Sequence, residues 1–360
     1  MKPTLCFGEI MVRLSPPGYQ RLRQAMPGRL EATFAGAEAN AAVAISTLGG
    51  TAAFITALPA NEIADACLAM LRAAGVQTDR VHWHPSGRMG LYFVETGSNQ
   101  RGGLVVYDRD QSVFSQTPPA AYDWIALLDG AGWLHVSGIS AGVSRLAAES
   151  TLAAVRAARA AGLTVSFDLN HRRKLWRWDE SRDPAELARE VNRNLLANVD
   201  VVIGSAGDLA AVAGLPAPAE SDPDGPGRAT ALAVQFCQQF PQVRWVAVTL
   251  REGLSGNHNR WGAVLIRASD RAAFAAPSAA GRYQPYSIEQ IVDRIGTGDA
   301  FAGALILALQ TPDLADPQTA LDFAVAASCL AHSIPGDFNF CTRAEVEALM
   351  AGGTGGAVDR

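Results

Sequence analysis

With 360 residues, of which 49% are apolar and 18% charged, the chain has material for one large α/β domain or two ordinary ones around a sizeable core. A formal net charge of −5 argues against nucleic acid or an anionic membrane as the main partner, so the expected partner is small and diffusible. Cys6, Cys67, Cys237, Cys329 and Cys341 are odd in number and far apart, with no C-x-x-C and no Cys/His cluster; this argues against a disulfide framework or structural zinc and fits reduced thiols in a cytoplasm.

The chain opens with TLCFGEIMV, a strand pattern in which Glu9 and Arg13 interrupt any signal-peptide core. MVRLSPPGYQRLRQAMPGRLEATF then reads as strand, long loop, strand. EANAAVAISTLGG is helical, AAFITAL a strand and EIADACLAMLRAAGV a helix. From Met89 to Tyr107, MGLYFVETGSNQRGGLVVY alternates and turns at Gly-Ser-Asn, the pattern of a β-hairpin. GWLHVSG is a strand, followed by a helix over SRLAAESTLAAVRAARAAGL that Gly162 stops. TVSFDLN, DVVIGS and RWVAVTL are strands; DPAELAREVNRNLLANV and ATALAVQFCQQF are helices. The Pro/Gly/Asp-rich segment from Gly214 to Ala229 reads as an exposed loop. AFAGALILALQTP is too short, and too soon stopped by Pro312, to span a bilayer, and residues 351–360 read as a flexible tail.

Alternating β and α segments with nearly continuous apolar strands imply a mostly parallel sheet covered by helices on both faces. The two strand–loop–strand excursions, about residues 10–35 and 88–108, would form a small separate β-layer. Its natural use is a lid over the carboxyl ends of the main strands, where ligands bind in open α/β sheets. No repeat or compositional shift divides residues 1–350, so a single domain is expected. Apolar lid edges pairing with a second copy would give a homodimer or a higher homo-oligomer.

The stretch DRIGTGDAFAGALILAL, Asp293 to Leu309, places two glycines and an aspartate before an apolar helix. Gly296 and Gly298 let a backbone turn approach a ligand closely. The first amides of the following helix lack intrahelical acceptors and point out of its positive end, which makes the Gly296-Thr297-Gly298 turn an anion hole for a migrating phosphoryl group. Asp299 stands there as a candidate proton acceptor, and at a helix N-terminus its pKa is expected to be low. Phosphoryl transfer tolerates a weak base, since its loose transition state needs positioning and charge stabilisation more. A plain helix start is the bland alternative. A dinucleotide fingerprint fits the spacing poorly, and no G-x-x-x-x-G-K-[ST] occurs.

A second motif changes the weight of the first. FAGAEANAAVAISTLGG (Phe34 to Gly50), followed by LRAAGVQTDRV, resembles the N-terminal signature of the PfkB (ribokinase-like) carbohydrate kinases, and DRIGTGDAF resembles their C-terminal signature. The resemblance spans roughly Leu5 to Met350. GEIMVRLSPPG, LYFVETGSNQR, VVYDRDQS, DLNHRRKLW, VTLREGLSGNHNRWGAVL and SIPGDFN resemble one branch, the 2-keto-3-deoxygluconate kinases. What this implies is a ribokinase-like three-layer α/β/α sandwich with a small β-sheet lid. The implied reaction is ATP-dependent phosphorylation of O6 of a 2-keto-3-deoxy sugar acid, with Mg2+ and room for a monovalent cation.

On the substrate side the resemblance implies Gly36 and Asn40, one helical turn apart, with Tyr92 and Tyr107 on the two hairpin strands. Arg109 and Arg172 would meet the substrate carboxylate, which a guanidinium fork matches bidentately. Arg109 could instead be a surface charge beside Asp108 and Asp110, and Arg172 could lean toward ATP phosphates. On the nucleotide side it implies Asn170, Ser205, Thr249, Arg251, Gly253 and Val325, the last with Ala326 and Cys329 on a helix that reads equally as core. His258 and His332 read as structural or surface groups.

The chain departs from the family pattern at several points. The family's N-x-x-E becomes GSAGD, with Ser205 in place of the amide and Asp208 as a shorter carboxylate for Mg2+. LPANE replaces a Gly-Asp, Ala35 replaces a paired glycine, and Thr297 puts a β-branched residue in the turn. A fructokinase- or ribokinase-like activity on a neutral sugar, a non-catalytic sugar- or nucleotide-binding protein and a nicotinamide oxidoreductase are the alternatives.

Overall fold

The computed structural model describes residues 2–172, 174–216, 225–279 and 281–353. In chain order the strands that carry the argument are β1 (Thr4–Phe7), β2 (Met11–Ser15), β3 (Glu31–Ala35), β4 (Ala52–Pro59), β5 (Val81–His84), β6 (Gly90–Glu95), β7 (Leu104–Asp108), β8 (Trp133–Ser137), β9 (Thr164–Asp168), β10 (Val201–Ser205), β11 (Trp245–Ser255), β12 (His258–Arg267) and β13 (Ala273–Ala276). The large sheet runs β13-β12-β11-β10-β9-β8-β1-β4-β5, with the short strand Tyr286–Ile288 also paired to β12.

From β5 to β11 every neighbour pairs in parallel. Strands β1, β4 and β8 are buried along their whole length, which is why they read as unbroken apolar runs rather than alternating ones. Side chains still leave the two faces in turn. Leu5 and Phe7 enter one core, with residues of the helices Arg145–Ala160, Pro184–Leu196 and Gly225–Gln239. Cys6 enters the other, with the helices Ala37–Thr47, Glu62–Ala73, Thr297–Gln310 and Pro317–Ala331. The result is the expected three-layer arrangement of a ribokinase-like α/β fold.

One edge departs from the parallel pattern. β11 and β12 form a long antiparallel hairpin and β13 adds antiparallel to β12. The strand expected to end at Leu250 continues to Ser255, because its distal half pairs with β12 rather than with the parallel sheet.

The two excursions form a second sheet, β3-β2-β6-β7, over a small core of Met11, Ala35, Tyr92 and Val94. β2 pairs parallel to β6, and each has an antiparallel outer neighbour. Only three residues, Gly8 to Ile10, separate β1 in the large sheet from β2 in the small one. The small sheet is therefore tied closely to the strand ends.

Local stops follow the sequence. Gly162 takes φ +77° just beyond its helix, and Gly214 takes φ +69° at the end of Ala206–Ala213. In LPANE, Asn61 caps the helix Glu62–Ala73 by accepting from Ala64 N at 3.0 Å. The loop expected to reach Ala229 gives way to helix at Gly225. Its residues 217–224, and residues 354–360 of the expected tail, lie outside the described residues. Among the described residues no helix is long and apolar enough to cross a membrane.

Candidate active site

Gly296 precedes the helix Thr297–Gln310 with φ +82°, and a Cβ there would lie 2.1 Å from the carbonyl oxygen of Asp337. Glycine is required on both counts. Thr297 is the first helical residue and is not among the positive-φ residues, so its β-branched side chain is compatible with the turn. Its Oγ1 donates to Arg294 O at 3.0 Å, turning the side chain back into the loop. Ala300 N bonds Gly296 O at 2.8 Å, and the amides of Thr297, Gly298 and Asp299 precede that first helical bond. A Cβ on Gly298 would meet nothing within 4 Å, so the turn opens there into free space.

Asp299 is buried at the same end and accepts from Asn40 Nδ2 at 2.7 Å. Its expected low pKa is not what the structure gives. Burial pushes the carboxyl up to about 7; the Asn40 hydrogen bond and Arg172 pull it down, and Asp337 and Glu38 push it further up. Desolvation outweighs the helix end, leaving a group poised near neutrality rather than a permanently weak base.

Asn40 is engaged at both ends, because its Oδ1 also accepts from Gly36 N at 3.2 Å. Gly36 is the cap of the helix Ala37–Thr47, and a Cβ there would lie 2.1 Å from Glu9 O. Glu38, one residue into that helix, is buried and accepts from Ser137 N (3.0 Å), Ser137 Oγ (2.7 Å) and Ser140 Oγ (2.8 Å). The helix start that presents Asn40 is thus pinned to the end of β8.

Tyr92 and Tyr107 face each other across β6 and β7, with ring centroids 6.0 Å apart. They are not equivalent. Tyr92 is buried and donates to Asp337 Oδ2 at 2.8 Å, whereas Tyr107 is 41% exposed.

Arg109 is neither a solvated charge nor paired with Asp108 or Asp110. It is buried, Nε donates to Glu9 Oε2 at 2.9 Å, and Nη2 reaches the same oxygen. Ser112 Oγ donates to Glu9 Oε1. One edge of the guanidinium is therefore already matched to a carboxylate of the protein, and it is Arg88 that pairs with Asp108. Arg172 is exposed, its guanidinium makes no hydrogen bond among the described residues, and it lies close enough to Asp299 and Asp168 for its charge to act on both.

Asp168, the last residue of β9, is a member of the site that spacing alone does not reveal. Burial raises its pKa well above the usual range, the charges of Asp299 and Asp208 add to that, and Arg172 opposes. Its place at the carboxyl end of a core strand is the one signal that could have found it. Arg13, Asp293 and Asp337 likewise surround the turn, and no feature of their local sequence announces it.

The nucleotide-side residues divide. Asn170 is half-buried at φ +35°, its amide bonded to Asp168 Oδ1 at 3.1 Å. Thr249, Arg251 and Gly253 lie within β11 rather than after it, Arg251 and Gly253 being exposed along the hairpin. Ser205 and Asp208 form a capping box on the helix Ala206–Ala213. Both Asp208 oxygens are occupied, Oδ1 by His171 N at 3.1 Å and Oδ2 by Ser205 N and Oγ at 2.8 and 2.6 Å. The shorter carboxylate suits the cap. Among the described residues no group of three His, Cys, Asp or Glu side chains converges to hold a metal ion. Val325 is fully buried in the core, so its side chain offers no surface to adenine. His332 is buried and held neutral by burial, which lowers its pKa to about 4, and His258 contacts Ser287 at 3.1 Å; both are structural.

The profile of the pfkB family carbohydrate kinases matches residues 1–342. A 2-dehydro-3-deoxygalactonokinase of Haloferax volcanii is 33% identical over 98% of both chains. A 2-dehydro-3-deoxygluconokinase of Thermoproteus tenax is 27% identical, covering 91% of this chain and 89% of its own. The crystal structure of a 2-dehydro-3-deoxygluconokinase from Thermotoga maritima superposes with a TM-score of 0.85 at 36% identity, covering 98% of this chain and all of the other.

Proposed function

The chain belongs to the pfkB family of carbohydrate kinases, and from that premise we propose that it transfers the γ-phosphoryl group of ATP to O6 of 2-keto-3-deoxygluconate. The observation that carries the reading is Asp299: a buried carboxyl near neutrality, fixed by Asn40, beside free helix amides that open into space at Gly298. The substrate hydroxyl gives its proton to Asp299 as the O–P bond forms, and the amides of Thr297, Gly298 and Asp299 take up the migrating negative charge. ADP leaves with the electrons of the cleaved bond. Mg2+ bound with ATP would offset phosphate charge, and Asp208 and Asp168, whose charges act on one another, are the carboxylates that would hold it.

Arg172 supports an acidic substrate. It is the exposed guanidinium beside Asp299, free to take a carboxylate, while Glu9 holds Arg109 as a rigid wall. Residues 1–350 act as one kinase domain, with the four-stranded sheet as a lid. Leu104, Val106 and Tyr107 on its edge strand β7 are 41–45% exposed, an apolar edge suited to a second copy, so a homodimer through the lid is part of the same proposal.

A coupled ATP-consumption assay over 2-keto-3-deoxygluconate, its galactonate epimer, gluconate, fructose and ribose tests the reading. The expected order of kcat/KM puts 2-keto-3-deoxygluconate first. A neutral sugar at the head of that order would overturn it, and the galactonate epimer at the head would overturn the choice of epimer alone. Sedimentation velocity of the purified chain tests the dimer.

A further inference from the structure

Arg13 is buried, lies on the lid strand β2, and pairs across the sheet with Tyr92 on β6. Its Nη2 donates to Asp293 Oδ2 at 2.5 Å and its Nη1 to Asp337 Oδ1. Asp293 lies in the segment that makes the anion-hole turn, and Asp337 in the segment packed against it. Asp293 Oδ1 accepts from Ile295 N at 3.1 Å, one residue before Gly296, and Oδ2 also accepts from Gly336 N at 3.2 Å. Asp337 presses its backbone against Gly296, the contact that forbids a Cβ there, and its Oδ2 takes the Tyr92 hydroxyl.

We propose that Arg13 is a positioning residue for phosphoryl transfer, the internal cation that couples the lid sheet to the Gly296–Gly298 turn. The proposal rests on the kinase reading above. Two buried carboxylates beside a seat for a phosphoryl group would repel its charge, and one guanidinium removes half of that field. A rigid fork also fixes the distance between the segments, which a point charge cannot do. Burial works against the Arg13 charge, and the Asp337 and Asp293 carboxylates outweigh it and raise its pKa, so the cation is present at every working pH. No part of Arg13 needs to touch substrate; its effect passes through Asp293, Asp337 and the turn between them.

The test compares Arg13→Lys and Arg13→Met with the wild-type chain in the coupled assay, with far-UV circular dichroism to establish folding and added guanidinium chloride at low millimolar concentration for rescue. Arg13→Met should lose at least about tenfold in kcat, with the KM for ATP within twofold of wild type. Guanidinium should restore part of kcat to Arg13→Met and none to Arg13→Lys, which fills the site with a charge of the wrong shape. Wild-type kcat in a folded Arg13→Met overturns the proposal, and so does loss without rescue. Loss of fold in both variants overturns it as well, since Arg13 would then be holding the fold. A wild-type chain that turns over no sugar acid would instead refute the kinase reading, so the two failures are distinct.

Discussion

Asn40 Nδ2 and Asp299 Oδ2 meet at 2.7 Å across 259 residues of sequence, joining the start of one helix to the start of another. The bond favours the charged form of a carboxyl that burial pushes up to about 7. The rate of phosphoryl transfer should therefore rise with pH as Asp299 loses its proton and level off above about pH 8. Asn40→Leu removes the donor, so the inflection should move alkaline and the rate at pH 7 should fall while the plateau is less affected. A pH profile of kcat/KM for the sugar acid checks both points, and a flat wild-type profile would speak against Asp299 as the base.

Asp299→Asn keeps the shape and removes the base. The kcat should drop by at least about 10²-fold, the usual scale for a positioned proton acceptor, while ATP binding measured by calorimetry survives. Stability should change in the opposite sense. A carboxyl whose folded pKa stands above its unfolded value loses stability as pH rises from about 4 to above 7, since the folded state must then hold a buried charge. The variant should therefore melt higher than wild type at pH 8, and the gap should narrow at pH 5 and close below about pH 4. Full activity in the variant would end the mechanism.

The two arginines should separate by readout. Arg172→Ala should raise the KM for the sugar acid about tenfold or more, with the melting temperature near that of wild type, because the side chain is exposed. Arg109→Met strands buried Glu9, a loss of roughly 3–5 kcal/mol, so it should first lower the melting temperature. Adding Glu9→Gln to Arg109→Met should recover much of that stability. Differential scanning calorimetry with steady-state kinetics on the three variants decides the assignment. A large KM effect in Arg109→Met plus Glu9→Gln, with none in Arg172→Ala, would return the carboxylate contact to Arg109.

The mostly parallel sheet, the two-sided core and the second sheet are legible in the sequence because each rests on local signals: apolar strand runs, Ala-rich helices, a Gly-Ser-Asn turn. The site is only partly legible. Gly296 and Gly298 declare themselves, since the turn they make is local. The Asp299 pKa does not, because it depends on Asn40 and Glu38, Asp337 and Arg172 arriving from three distant segments. Arg109 misleads for the same reason: its neighbours in sequence are Asp108 and Asp110, but the fold pairs it with Glu9. Ser205 and Asp208 read in sequence as an altered ligand pair, and only the fold adds the helix they cap.

Two glycines of one turn should respond oppositely to alanine. Gly296→Ala puts a Cβ 2.1 Å from Asp337 O at φ +82°, so the backbone must shift and both stability and kcat should fall. Gly298 lies in the first turn of a helix and its Cβ would meet nothing within 4 Å, so Gly298→Ala should fold normally and melt at or above wild type, by up to about 1 kcal/mol of helix propensity. The added methyl nevertheless stands where the γ-phosphate is proposed to arrive, and kcat/KM for ATP should drop at least about tenfold. Thermal melts and ATP kinetics on the pair test the anion hole directly. A stable Gly298→Ala with wild-type ATP kinetics would mean that the phosphate binds elsewhere, because no folding defect could then account for the result.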